Sequence, residues 1–88
     1  MMAEPIRPRI EEVTWGDSAG GCHWRPLDDV AIEEPSLIVS VGYVIRSDAT
    51  ALTLVQSINA EERPGVDNYI CIPMKAVLRR RVIGTEGN

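Results

Sequence analysis

The most regular hydrophobic pattern lies in the middle of the chain. Between Leu37 and Ile45 every odd-numbered position is apolar, whereas Ser40 and Gly42 interrupt the even-numbered positions. A period of two is typical of a strand with one buried face. We therefore predict a long strand that Gly42 allows to bend, as small barrels require. The side chains predicted to be buried are Leu37, Val39, Val41, Tyr43 and Ile45.

The hydrophobic pattern after Ile45 predicts three more strands. In the strand at 51–57, Leu52 and Leu54 are expected to point inward. Pro73 is expected to end the strand at 69–72. The predicted segments are a turn at 46–50, strands at 51–57, 69–72 and 78–83, an exposed loop at 59–68, one helical turn at 74–77 and a frayed tail at 84–88.

The first 35 residues differ from the rest in composition and pattern, because they hold four of the six prolines and lack a sustained apolar period. We predict a short edge strand at 10–13 leading into Trp15, followed by a Gly-rich loop at 16–21. An early proline, first-turn acids and apolar spacing predict a short helix at 26–34, ended by Pro35. We expect residues 1–35 to be an extension packed on a core of residues 36–83.

The order of these elements is that of SH3-like barrels, and their spacing resembles the Sm family. Gly42, Asp48 in the turn and the apolar strand at 52–54 are similar to the first Sm motif, while Ile72 and Val77 stand at the interval of the second. The resemblance covers about residues 36–83. It implies a mainly β domain, a small five-stranded SH3-like, Sm-like barrel.

The Sm family's uridine pocket is not matched. That pocket uses an asparagine shortly after the turn aspartate and an arginine-glycine pair after the isoleucine. Here Ala51 and Leu52 occupy the first region and Pro73 and Met74 the second. The resemblance therefore implies the fold and not the RNA site.

A second resemblance spans more of the chain. Trp15 and Trp24 before the barrel, the Ser-Val-Gly-Tyr strand at 40–43 and the Ile72-Pro73 turn are similar to small proteins of bacteria and their phages. This resemblance implies no activity.

The charge is uneven along the 88 residues. The net charge is −4. Residues 1–35 carry eight acidic and three basic groups, whereas residues 36–88 carry five acidic and six basic groups. An acidic segment repels phosphate, so broad electrostatic binding of nucleic acid is not favoured. A local basic site stays open.

The cysteines and the first residues bear on the compartment. Cys22 and Cys71 are too few and too far apart in sequence for a disulfide framework. We expect reduced thiols in the cytoplasm, and the alternative is one bridge between the two. The first residues lack the pattern of a secretory signal, and no apolar run approaches the roughly 20 residues that span a bilayer. We expect no membrane association.

Cys22 and His23 are the only adjacent pair of good metal ligands. Zinc needs about four ligands, usually from two spaced pairs, and a nucleophilic pair needs a third group to orient it. We expect Cys22 to be packed and His23 to lie on the surface. The paired acids, Glu11 and Glu12 among them, are expected to be solvated. We predict no catalytic residue, no metal and no cofactor.

Arg79–Arg81 is the densest basic cluster. In a strand its outer members face one way and Arg80 the other. We expect charges that protect an edge strand and pair with the acidic N-terminal segment. The alternative is a strip contacting nucleic acid or an acidic partner, formed by Arg79 and Arg81 with stacking by Tyr43 and Tyr69.

The two tryptophans bracket the Gly-rich loop. We expect both to seal one mouth of the barrel. The alternative is an exposed surface that docks a partner or a second copy. The candidate docking residues are Trp15, Trp24, Tyr69, Ile70, Ile72 and Leu78.

These observations favour a non-catalytic interaction or assembly module. The expected partner is protein, most simply another copy of the chain, with edge strands 69–72 and 78–83 pairing between subunits as in Sm-like homo-oligomers. The alternatives are a nucleic-acid-binding Sm-like protein using Arg79–Arg81, and a small metal protein or enzyme using Cys22 and His23.

Overall fold

Strands make up most of the described chain. The computed structural model describes residues 8–84. Five antiparallel strands form one sheet in the order β4-β3-β2-β1-β5, so the prediction of a mainly β domain is confirmed, although the sheet is not closed. The strands are β1 Ile10–Asp17, β2 Ser36–Ser47, β3 Ala51–Ile58, β4 Val66–Pro73 and β5 Val77–Gly84; the helices are α1 Leu27–Ala31 and a 3-10 turn at Met74–Ala76.

Strand β1 lies inside the sheet, which corrects the prediction of a short edge strand. It pairs with β2 on one side and with β5 on the other. Its buried side is formed by Glu11, Val13 and Trp15. Because Glu11 stands on the buried side, where the alternation requires an apolar residue, the sequence pattern did not indicate a strand inside the sheet.

Strand β2 buries the face opposite to the predicted one. Leu37, Val39 and Val41 are 67%, 59% and 56% exposed, and Ile45 is also exposed. The even-numbered side faces the core. A Cβ at Gly42 would lie 2.9 Å from the Val55 carbonyl oxygen, so the inner face needs a residue without a side chain there. We name this core side of the sheet the inner face and the other the outer face.

Most of the core lies on the inner face, but β3 is buried on both faces, since Val55 on its outer face is 1% exposed. Leu52 and Leu54 are 0% and 2% exposed, so their predicted inward direction is confirmed. The buried cluster is Val13, Trp15, Val44, Leu52, Leu54 and Ile72. Because there is no Phe, aliphatic packing supplies most of the stabilisation from burial.

The second half of the chain follows the predicted order. Asp48 closes the β2–β3 turn by accepting hydrogen bonds from the N–H groups of Thr50 and Ala51 at 2.8 and 3.0 Å. The 3-10 turn after Pro73 is also confirmed. Strand β4 begins at Val66, three residues earlier than predicted. The predicted tail lies outside the described residues, except for Gly84, which ends β5.

Residues 18–35 connect β1 to β2, because Asp17 pairs with Ser36 across the two strands. The helix in this connection is shorter than predicted, and none of its residues is buried. Five residues without packing make a marginal helix. The packing of residues 1–35 as an extension on a core of residues 36–83 stays a prediction. The radius of gyration of 17.2 Å exceeds the about 12 Å of a compact domain of this length.

Candidate interaction surfaces

A buried carboxylate links three strands on the inner face. Glu11 in β1 is 1% exposed. Its oxygens accept hydrogen bonds from Arg80 Nε at 2.7 Å, Arg80 Nη2 at 2.9 Å and Arg9 Nε at 2.6 Å. Arg80 Nη1 also donates to Ser47 Oγ at the end of β2, at 3.0 Å. The network thus holds β5 against β1 and β2.

These contacts set the charge state of Glu11. The hydrogen bonds from Arg80 lower the pKa of Glu11, against burial, which raises it; the hydrogen bond from Arg9 lowers it further. The carboxylate is therefore ionised when buried, and the prediction that it is solvated is wrong. The sequence carried one signal, a basic run near one end of the chain and an acidic segment at the other, but this signal does not show which acidic residue is buried.

The basic cluster of β5 is divided between the two faces, as predicted. Arg80 points inward to Glu11. Arg81 forms an exposed ion pair with Glu12 at 3.0 Å, so the expected pairing with the acidic N-terminal segment is confirmed for both residues. Arg79 is exposed and has no ion pair among residues 8–84. Within the described part of the chain, Arg80 and Arg81 both form ion pairs, and Arg79 is the one arginine of the cluster that does not.

The tyrosines lie on the outer face, away from that arginine. Tyr43 and Tyr69 flank Val55 in one row across β2, β3 and β4. The row continues to Ile10 in β1, whereas Arg79 pairs with Thr14. Four residues of strand correspond to about 13 Å, so the structure brings the two tyrosines together and leaves Arg79 apart.

Only part of the predicted docking set is accessible. Tyr69 and Leu78, on the two outermost strands, are 70% and 65% exposed. Ile70 is partly buried. Trp15 and Ile72 belong to the core at 8% and 0% exposure and do not contribute to an exposed surface.

The two tryptophans have different environments. Trp15 packs in the core, and its Nε1 donates to Ser40 Oγ at 3.1 Å. Trp24 is 103% exposed, which contradicts the prediction that both residues seal one end of the fold. Near it, the connection exposes further apolar side chains between acidic ones. These are Leu27, Val30 and Ile32.

A row of aliphatic residues that the sequence pattern assigned to the core lies on the outer face of β2. We call Leu37, Val39 and Val41 the outer stripe. Its residues are more than half exposed. Scattered exposed apolar residues are ordinary, but a contiguous row of them on one strand is typical of a contact surface.

Cys22 and His23 stand in the exposed connection, and both cysteines are free and exposed. The expectation that Cys22 is packed is therefore wrong. Within residues 8–84 no three His, Cys, Asp or Glu side chains are grouped to hold a metal ion.

Comparisons of the chain with known proteins give no match. No protein-family model matches it, and no curated protein or solved structure does either.

Among residues 8–84, no helix has the length and apolar character needed to cross a bilayer.

Proposed function

We propose that this chain is a non-catalytic assembly module, that its strands form an SH3-like barrel of the Sm type, and that copies associate through the edges of β4 and β5. The supporting observation is the strand order, in which each of these two strands has one partner strand among the described residues. Their other edges carry backbone N–H and C=O groups that a further strand satisfies. We further propose the cytoplasm as its location, with Cys22 and Cys71 as reduced thiols.

The two edges suit a head-to-tail contact. The 3-10 turn at Met74–Ala76 joins β4 directly to β5, so one copy offers both edges within a single short segment. Pairing of residues 69–72 of one copy with residues 78–83 of the next adds antiparallel strand pairs without refolding. Exposed apolar side chains accompany both edges, Tyr69 on β4 and Leu78 and Val82 on β5. Such contacts close into a ring when the rotation between subunits allows it.

Light scattering coupled to size-exclusion chromatography tests this function. The chain is expected to elute as an oligomer at micromolar concentrations, and Tyr69→Glu or Leu78→Glu to shift it toward monomer by desolvating a charge in the contact. The matched control is Ile32→Glu, a similarly exposed apolar residue outside the sheet. A strict monomer over the whole range contradicts the proposal.

The charge of Arg79, which forms no ion pair within residues 8–84, supports a second candidate, a local contact with nucleic acid. It predicts salt-sensitive binding of single-stranded RNA that weakens when Arg79 and Arg81 become Ala. The overall charge of −4 opposes it, and the separation of Arg79 from Tyr43 removes a combined stacking site. Unchanged affinity in the double variant excludes this candidate.

The remaining alternative, a metal protein or enzyme centred on Cys22 and His23, has little support from the geometry. Both residues lie in the exposed connection, where no third ligand from the described residues joins them. Metal analysis of the purified chain decides it, because a structural site predicts stoichiometric zinc.

A further inference from the structure

Strand β2 has an open edge in the middle of the sheet. Its first half, residues 36–42, pairs with β1, but its pairing with β3 starts only at Tyr43 opposite Val55. No other strand of the described chain lies beside residues 36–42 on that side. An open cleft of about 310 Å³ separates the diverging strands, lined by Val41 of β2 and Gln56 of β3 among others.

The backbone groups at this edge can be assigned. The Val44 N–H donates to the Arg9 carbonyl oxygen at 3.0 Å, on the side of β1. Along a strand these groups alternate between its two sides, and the β1–β2 register is continuous from Tyr43 to Ser36. The even-numbered residues of this half therefore bond to β1. The N–H and C=O groups of the outer stripe, Leu37, Val39 and Val41, point to the open side.

Polar protection distinguishes this edge from the other two. Natural sheets protect free edges with charges and proline. Strand β5 carries three arginines, and β4 contains Asp67 and ends at Pro73. Residues 36–42 contain neither a charged residue nor a proline. Of the three open edges of the described sheet, the β2 edge is the least protected against pairing with another strand.

The sequence of this edge is complementary to itself. Around Val39 the aliphatic pattern of the outer stripe is symmetric, with Leu37 two positions before it and Val41 two positions after it. An antiparallel copy centred on Val39 places Val39 opposite Val39 and Leu37 opposite Val41. Aliphatic side chains in directly opposed positions stabilise a strand pair, and no charge is brought against a like charge.

We propose that two copies of the chain pair through this edge, with antiparallel β2 strands related by a two-fold axis at Val39. Each opposed pair exchanges both its N–H···O bonds, so the three pairs supply about six main-chain hydrogen bonds. A two-fold contact is isologous and closes on itself. The inference rests on the proposed function, since it needs a self-associating chain, but it uses a different edge.

The size of the contact sets the expected strength. Seven residues a side are fewer than the about 20–30 of a standard interface, so we expect a dimer that dissociates on dilution. A charged peptide or a nucleic acid fits this edge poorly, because residues 36–42 offer no charge to select it. A second copy matches both its aliphatic pattern and its backbone register.

Amide hydrogen exchange measured by NMR over a dilution series tests the contact residue by residue. The amides of Leu37 and Val39 are expected to exchange slowly in concentrated samples and at least about tenfold faster in dilute ones. The amides of Ile38 and Ser40, bonded to β1, are the internal control and are expected to stay protected at every concentration. A purely structural role of β2 leaves the exchange rates of the Leu37 and Val39 amides independent of concentration.

Substitution at the two-fold position provides the second measurement. Val39→Lys opposes two like charges and removes the central aliphatic pair, so it is expected to raise the dissociation constant about tenfold or more. Val39 is 59% exposed, so the variant is expected to fold. Ile32→Lys, at 80% exposure in the connection, is the matched control and is expected to leave the dissociation constant unchanged.

The outcomes separate this inference from the proposed function. Oligomers that Val39→Lys leaves intact and Leu78→Glu dissociates overturn the β2 contact alone. Dimers that Val39→Lys dissociates and Leu78→Glu leaves intact support it and assign self-association to β2. Protection of the Leu37 and Val39 amides in a monomer overturns it by assigning the edge to another segment of the same chain. A monomer at all concentrations overturns both.

Discussion

Arg80 of β5 holds the carboxylate of Glu11 of β1 with two hydrogen bonds, Nε to Oε1 at 2.7 Å and Nη2 to Oε2 at 2.9 Å, across 69 positions of sequence. Within residues 8–84, β5 has only β1 as a neighbour in the sheet, and this contact adds to the backbone pairing that joins the last described strand to the first. Glu11 is 1% exposed, whereas the side chain of Arg80 is 30% exposed, so the contact is a partly buried charge pair.

Breaking that pair should cost stability. Glu11→Gln leaves Arg80 and Arg9 without their carboxylate, and we expect the free energy of unfolding to fall by about 2 kcal/mol, less than for a fully enclosed pair because Arg80 reaches solvent. Urea unfolding followed by circular dichroism measures it. The control is Glu12→Gln, which breaks the exposed pair with Arg81 and should cost at most about 1 kcal/mol. Equal small losses in both variants contradict the anchoring role.

Acid should weaken the fold through the same carboxylate. The pKa of Glu11 is lowered from 4.5, chiefly by its hydrogen bonds from Arg80. A depressed folded-state pKa contributes stability that is present above the unfolded value and is lost as the pH falls through the folded one. The pKa of Asp48, lowered from 3.8 to about 2 by hydrogen bonds from Arg46 and from the Ala51 and Thr50 backbone, acts in the same direction at lower pH.

Unfolding measured from about pH 6 to about pH 2 checks this dependence. The free energy of unfolding should decline below about pH 4.5, and Glu11→Gln should lose the part of the decline nearest that pH while keeping the part at lower pH. A variant with the same pH profile as the natural chain would falsify the assignment of the upper part to Glu11.

Gly42 is expected to be irreplaceable where β2 crosses β3. An alanine Cβ there lies 2.9 Å from the Val55 carbonyl oxygen and 3.1 Å from Leu54 Cβ, so the strands must move apart. We expect Gly42→Ala to lower the free energy of unfolding by about 1–3 kcal/mol. Gly16→Ala is the control in β1, where nothing lies within 4 Å and the change should be neutral or slightly stabilising. Thermal unfolding of both variants compares them directly.

The sequence predicted the elements well and the buried faces less well. Turn chemistry at Asp48 and the break at Pro73 are local signals, and both were confirmed. The direction of β2 depends on neighbours remote in sequence. On the inner face Ser40 Oγ accepts a hydrogen bond from Trp15, and Gly42 leaves room for the backbone of β3. The more regular apolar alternation therefore lay on the outer face.

The candidate surfaces show the same limit. The opposed directions of Arg80 and Arg81 follow from strand periodicity, so they were predictable. The burial of Glu11 depends on Arg80 arriving from the other end of the chain, and a single sequence gives no means of pairing the two. The exposure of Trp24 was equally hidden, because composition does not reveal whether a long connection folds back on the sheet.

Fluorescence can report the two tryptophans separately, since the chain contains only two. In Trp24→Phe the remaining Trp15, 8% exposed, should emit at short wavelength and resist quenching by iodide. In Trp15→Phe the remaining Trp24 should emit at long wavelength and be quenched readily.

Trp24→Phe should change the free energy of unfolding by no more than about 0.5 kcal/mol, because Trp24 is fully exposed. By contrast, Trp15→Ala should cost about 3–5 kcal/mol through the cavity it leaves. If iodide quenches Trp24 as weakly as Trp15, the connection folds over it in solution and its exposed apolar residues are covered by the chain itself.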